Sequence, residues 1–113
     1  LRMFDHELNM MEFGMQDIIY SMGYFDYLTD DFLVKMLRSL YMLLNPGGKL
    51  IMPFKDAAKY KPQDYHWLCD WDGFLQRTED DFDRILEEAG ISDSALSQRR
   101  DKSGVIIFYT ATK

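Results

Sequence analysis

Cysteine is nearly missing from this sequence: Cys69 is the only one in 113 residues. A single thiol excludes an intramolecular disulfide and suits a reducing, cytoplasmic setting. No apolar run is long enough to span a bilayer, and no signal-peptide pattern is present. Bases are the minority, 13 against 19 acids, for a net charge of −6. Binding a phosphate backbone needs a basic face, so nucleic acid is not expected as the main partner. There are two histidines, and one His without a second ligand, as at His6, makes no metal site. Internal repeats and low-complexity stretches are absent. The chain opens on Leu1, which reads as a processed or excised piece.

What is present is apolar material in ordered blocks. Apolar residues make up 47% of the chain, enough for the core of one domain at this length. Residues 17–22, Asp-Ile-Ile-Tyr-Ser-Met, read as a strand whose weak alternation suits a parallel strand buried on both faces. Residues 30–44 read as a helix, with Thr29 and Asp30 as caps and Asp30 and Asp31 at the positive end of its dipole. Leu33, Met36, Leu37, Leu40 and Leu44 form one apolar stripe along it. The turn Leu44-Asn45-Pro46-Gly47-Gly48-Lys49 stops the helix, both glycines supplying positive φ, and residues 49–54 form a second strand. Strand, crossover helix, strand is one parallel unit of an α/β sheet.

The flanks are read from the same signals. Residues 1–16 are either the end of a strand with its loop or a short helix from Phe4 to Met11. Thr78 caps a helix over 79–89, with Asp81 at the capping-box position and Gly90 closing it in the left-handed region. Phe82, Ile85, Leu86 and Ala89 are its buried stripe, and its acids form a solvated face. Residues 95–100 and 105–111 flank Asp101-Lys102-Ser103-Gly104 as a hairpin, and the second arm is apolar enough to be central.

Ligands of open parallel sheets bind beyond the carboxyl ends of the strands. That places Ser21, Met22, Gly23, Tyr24 and Phe25 at the mouth, where Gly23 lets backbone approach a ligand closely. Tyr24, Phe25 and Tyr27 either touch that ligand or plug the core. The segment 55–77 leaves the second strand on the same side, and a connection of this length is usually functional. It reads as an aromatic lid-like insertion, or as a helical satellite with Trp67, Trp71 and Phe74 on one face. His66 and Asp70 are weak candidates for a general base.

The strand Asp17-Ile18-Ile19-Tyr20-Ser21-Met22-Gly23, the aromatic Phe25-Asp26-Tyr27-Leu28, the amphipathic helix and Leu44-Asn45-Pro46-Gly47-Gly48-Lys49-Leu50-Ile51 together resemble one family. They are similar to the fourth-to-fifth-strand region of class I S-adenosylmethionine-dependent methyltransferases. The resemblance runs from about residue 9 to 113 and covers the C-terminal half of that domain. It implies an α/β, Rossmann-like sheet ordered first-read strand, second, fourth, third, with the last strand antiparallel. The Gly-rich cofactor loop and the acidic end of the second strand have no counterpart, so 1–113 reads as one partial domain.

The resemblance implies S-adenosylmethionine as cofactor of the complete domain, with Ser21, Met22 and Gly23 at its edge. Asn9, a polar residue at a suitable distance before Asp17, is the candidate for the adenine. Tyr24, Tyr27, His66, Trp67 and Trp71 are candidates for the acceptor pocket. The pattern Asp70-Trp71…Arg77-Thr78 resembles a methyltransferase subgroup acting on small or lipid-like acceptors. The first expectation is therefore the substrate side of a methyltransferase, inactive as an isolated chain and completed by an N-terminal half. The alternatives are a non-catalytic binding or assembly module and half of another doubly wound enzyme, such as a dehydrogenase. In either case the strand at 17–22 lacks a neighbour, and a bare edge recruits another chain, so self-association through it, as a dimer, is expected.

Overall fold

The computed structural model describes residues 4–69 and 73–113, with backbone alone at 62–65. The elements in order are α1 (His6–Phe13), β1 (Gln16–Tyr20), a 3-10 turn (Phe25–Tyr27), α2 (Asp30–Met42), β2 (Leu44–Lys55), α3 (Pro62–Cys69), α4 (Glu79–Glu88), a 3-10 turn (Asp93–Ala95), β3 (Leu96–Arg100) and β4 (Ile106–Thr112). The ambiguous first segment is thus a helix, capped by Asp5, whose carboxylate accepts from the Leu8 N–H at 3.1 Å.

The sheet order is β1-β2-β4-β3. β1 and β2 are parallel, with Ile19 opposite Leu50 and Tyr20 opposite Ile51, while β4 is antiparallel to β2 and to β3. α2 is the crossover of the parallel pair, and the second arm of the hairpin is central, as its apolar run predicts.

The turn after α2 differs from its reading in one useful respect. The helix stops at Met42, two residues early, and Leu44 belongs to β2 rather than to the helical stripe. The segment 44–48 is an irregular lead-in to the strand, and the register with β1 slips between Gln16 and Ile18. It is tied down on both sides. Gln16 N–H donates to Leu43 O at 2.8 Å and Asn45 Nδ2 to Asp17 Oδ1 at 2.9 Å; Gly47 N–H donates to Lys113 O at 2.8 Å. Gly47 has φ +80, as the turn requires, but Gly48 serves another purpose. A Cβ there would lie 2.9 Å from Asn45 O and 3.1 Å from the carbonyl oxygens of both Gln16 and Asp17.

The core lies on one face of the sheet. Leu50, Met52 and Phe54 of β2 and Ile107, Tyr109 and Ala111 of β4 meet Leu33, Met36 and Leu37 of α2 and Phe82, Ile85 and Leu86 of α4. Phe54 stacks on Phe82 with ring centroids 4.3 Å apart. Each Leu, Ile, Met or Phe side chain among them contributes about 1.5–3 kcal/mol on burial. α4 begins with the Asp81 carboxylate accepting from the Thr78 N–H and hydroxyl, at 2.9 and 3.0 Å. It ends in a Schellman turn: Ile91 N–H donates to Leu86 O and Gly90 N–H to Glu87 O, with Gly90 at φ +85.

The opposite face corrects the expectation that β1 is buried on both sides. Ile19 packs on the core, but Ile18 and Tyr20 point the other way and are 61% and 69% exposed. Alternation reappears because, among the described residues, no helix covers that face. Among the same residues the outer edge of β1 is likewise unpaired.

Candidate functional site

The mouth forms where β1 ends. Ser21 N–H donates to Ile51 O at 3.3 Å, carrying the strand register one residue further. Met22 then stands 70% exposed, and Gly23 turns the chain at φ +80 with open space where a Cβ would be. The 3-10 turn that follows is closed by Tyr27 N–H to Tyr24 O and Leu28 N–H to Phe25 O. This turn divides the aromatics between the two roles open to them. Phe25 is buried against Phe54, with centroids 6.1 Å apart, and plugs the core; Tyr24 and Tyr27 remain exposed.

The other wall comes from the end of β2 and from the return of the 55–77 segment. Asp56 and Arg77 pair as a bridge, Ala57 N–H donating to Arg77 O at 2.7 Å, so both ends of the insertion are pinned at one place. Arg77 is 4% exposed. Its Nε donates to Asp30 Oδ1 at 2.9 Å, one terminal nitrogen donates to Phe25 O at 3.2 Å, and the other donates to Leu28 O. One guanidinium thereby holds the 3-10 turn, the start of α2 and the end of the insertion together. Leu75 N–H donating to Asp26 O at 2.9 Å adds a fourth tie.

Inside this frame the Asp26 carboxylate is buried, 3.8 Å from Lys55 Nζ. Burial pushes Asp26 above its ordinary range, against the pull of Lys55, and burial likewise holds the Lys55 ammonium below its own. Lys55 Nζ also stands 3.1 Å from the centroid of the Phe74 ring and 5.9 Å from that of Tyr60. Phe74 in turn meets Tyr27 at 5.2 Å and Tyr60 at 6.1 Å. Asp56, also buried, is satisfied by Ala58 N–H at 2.9 Å and by Arg100 at 2.9 Å.

Ser21, Met22, Gly23, Tyr24 and Tyr27 therefore gather at one end of the sheet. Asn9 lies elsewhere. It is buried on α1, where its Nδ2 donates to Ser39 Oγ at 2.9 Å in the last turns of α2, toward the opposite end. His66 and Trp67 are exposed on α3, Trp67 at 85%. Phe74 stands outside any helix, so Trp67 and Phe74 do not share one helical face. Asp70 and Trp71 lie outside the described residues. Sequence reading passed over Asp26, Lys55, Asp56 and Arg77 as site residues. The signal available for them was a carboxylate set among aromatics at the tip of an apolar strand, and charges directly following another.

Among the described residues no three or more His, Cys, Asp or Glu side chains are grouped to hold a metal, and no helix is long and apolar enough to cross a membrane. No protein-family model and no curated protein matches the sequence. Solved structures do match. An O-methyltransferase family protein from Burkholderia thailandensis superposes with a TM-score of 0.67 at 14% identity, over 98% of this chain and 33% of its own. A SAM-dependent methyltransferase from Leishmania major gives 0.63 at 19% identity, over 88% and 39%. Human N-acetylserotonin methyltransferase, in complex with SAM, gives 0.60 at 22% identity, over 86% and 29%. The chain has the fold of the C-terminal half of a methyltransferase sheet, and it spans about a third of the length of the structures it matches.

Proposed function

We propose that this chain is the substrate-side half of an S-adenosylmethionine-dependent methyltransferase acting on a small-molecule or lipid-like acceptor. The observation that supports this is the parallel pair β1 and β2, whose carboxyl ends put Ser21, Met22 and Gly23 beside a wall of Tyr27, Phe74 and Lys55 within a methyltransferase fold. The open space at Gly23 and the exposed Met22 fit the edge of such a cofactor. When bound, the cofactor supplies a methyl group on a sulfonium, a leaving group that is already activated. The work left to these residues is alignment and exclusion of water. Tyr24, Tyr27 and Trp67 offer aromatic faces to the acceptor, with Trp71 as a further candidate. His66 and Asp70 are the candidates to accept a proton, which is needed only if the acceptor must lose one.

The Gly-rich turn that would hold the rest of the cofactor is not encoded in these residues, so the chain alone is inactive and is completed by an N-terminal half. The test has two arms. The parent protein should transfer an isotopically labelled methyl group from S-adenosylmethionine, and Gly23→Val, strained at φ +80, should reduce that transfer at least tenfold. Calorimetry on the isolated chain should give no measurable affinity for S-adenosylmethionine. Micromolar binding by the chain, or none by the parent, refutes the reading.

A second reading is favoured by one observation. Ile18 and Tyr20 lie exposed along an unpaired edge, which suits an assembly module that has kept the sheet and lost the chemistry. A Gly-rich turn after a strand in the parent reading frame upstream would favour the enzyme.

A further inference from the structure

The protein is acidic, yet Lys55, Lys59 and Lys61 fall within seven residues and line one hollow of about 380 Å³. The local backbone brings them together. Lys59 and Tyr60 N–H groups both donate to Asp56 O, at 2.9 and 2.8 Å, closing a single helical turn directly after β2. Lys55, the last residue of β2, and Lys59, on that turn, both border the hollow. Asp56 N–H donates to Val105 O at 2.8 Å, which draws the start of β4 up to the same turn. The rest of the wall is mostly apolar or aromatic: Tyr60, Val105 and Ile106, with Ser103, whose hydroxyl donates to Asp101.

Among the described residues no carboxylate lines the hollow. The acids nearby are turned to other partners. Asp56 is held by Arg100 and the Ala58 N–H, and Asp101 by the Ser103 hydroxyl and the Ile106 N–H. Asp26 approaches Lys55 from the mouth side, at 3.8 Å. Elsewhere Arg77, Arg84 and Arg100 are each paired to acids, whereas among the described residues Lys59 and Lys61 have no ion pair. Unneutralised cations around an apolar-walled hollow are a charge arrangement that an anion completes.

We propose that this hollow binds the anionic group of an amphiphilic acceptor, a carboxylate or phosphate on an apolar arm, with Lys59 and Lys61 at the rim and Lys55 between it and the mouth. Calling the ligand an acceptor rests on the transferase reading above; anion binding does not. The test is therefore made without methyl transfer, by chemical-shift titration of the full chain with hexanoate, hexyl phosphate, inorganic phosphate and hexanol. Hexanoate and hexyl phosphate should shift the amides of 57–61 and 104–106 saturably, about tenfold more tightly than inorganic phosphate or hexanol. The tighter of the two identifies the headgroup. Replacing both Lys59→Gln and Lys61→Gln, at exposed positions that leave the fold intact, should weaken binding about fivefold, and Lys35→Gln on α2 should not. Equal binding of hexanol would remove the anion requirement. Equal binding of inorganic phosphate would remove the amphiphile, and unchanged affinity in the double variant would remove the lysines. None of these results touches the S-adenosylmethionine arms of the earlier test.

Discussion

The Arg77 guanidinium and the Asp30 carboxylate, 47 residues apart in sequence, lie 2.8 Å from each other and close the wall of the mouth. Arg77 is buried while Asp30 is partly open to solvent, so the Coulombic part of the contact is screened. More depends on the carbonyls of Phe25 and Leu28, both of which accept from this buried side chain. Arg77→Ala should lower the unfolding free energy by about 2–3 kcal/mol. Arg77→Lys should recover part of it, since an ammonium cannot span three acceptors in a fixed fork. Urea denaturation of both variants checks this, and an unchanged midpoint for Arg77→Ala would remove the proposed frame.

The two glycines of the turn should respond to alanine differently. At Gly47 the cost is conformational, about 1–2 kcal/mol for a left-handed residue, because a Cβ there meets open space. At Gly48 the new Cβ meets three backbone oxygens at 2.9–3.1 Å, two of them on β1 where it pairs with β2. Gly48→Ala should therefore cost more, about 3 kcal/mol, at the upper end for overpacking. Thermal melts that rank Gly47→Ala as the more damaging change would contradict this.

The parallel unit was legible because its signals are local. The stripe of α2, the Pro-Gly-Gly stop and the apolar blocks on each side all lie within a few residues of what they determine. The capping at Thr78 and Asp81 and the turn at Gly90 were legible for the same reason. The role of Gly48 was not, since the carbonyls it must avoid belong partly to Gln16 and Asp17 on another strand. Nor was the pairing of Arg77 with Phe25 O, 52 residues away. Trp67 shows a different limit: helical spacing places a residue on a face, but it does not say whether anything covers that face.

Acid titration should reveal two opposed groups of carboxyls. Asp30 is held below its ordinary value by its bond to Arg84, Glu79 by Gln98 and Arg100, Asp81 by the Thr78 N–H, and Asp101 by Ser103. Their stabilisation is present above the unfolded values of 3.8 to 4.5 and is lost as pH falls through the lower folded ones. Asp26 runs the other way. Its folded value is raised by burial, so ionising it costs stability as pH climbs from 3.8 through that value. Asp26→Asn should thus gain on the parent sequence as pH rises, with the smallest advantage below pH 3.8. Paired denaturation curves at acid and neutral pH decide it, and an advantage that shrinks toward neutrality would invert the assignment.

The exposed side of β1 leads to the last expectation. A strand with an unpaired edge, carrying Ile18 and Tyr20 on an uncovered face, can lower its free energy by pairing with a second copy. Each of these side chains contributes about 1.5–3 kcal/mol when fully covered, and a two-fold contact uses both twice. The isolated chain should therefore show a concentration-dependent dimer by light scattering. Ile18→Lys with Tyr20→Lys should raise its dissociation constant by at least about tenfold, because two cations then face their own copies across the contact. Lys102→Glu, on the far hairpin, changes the charge by a similar amount and should leave the dimer intact. A clean monomer at high concentration, or equal loss in both variants, would mean that the β1 edge is not where the chain associates.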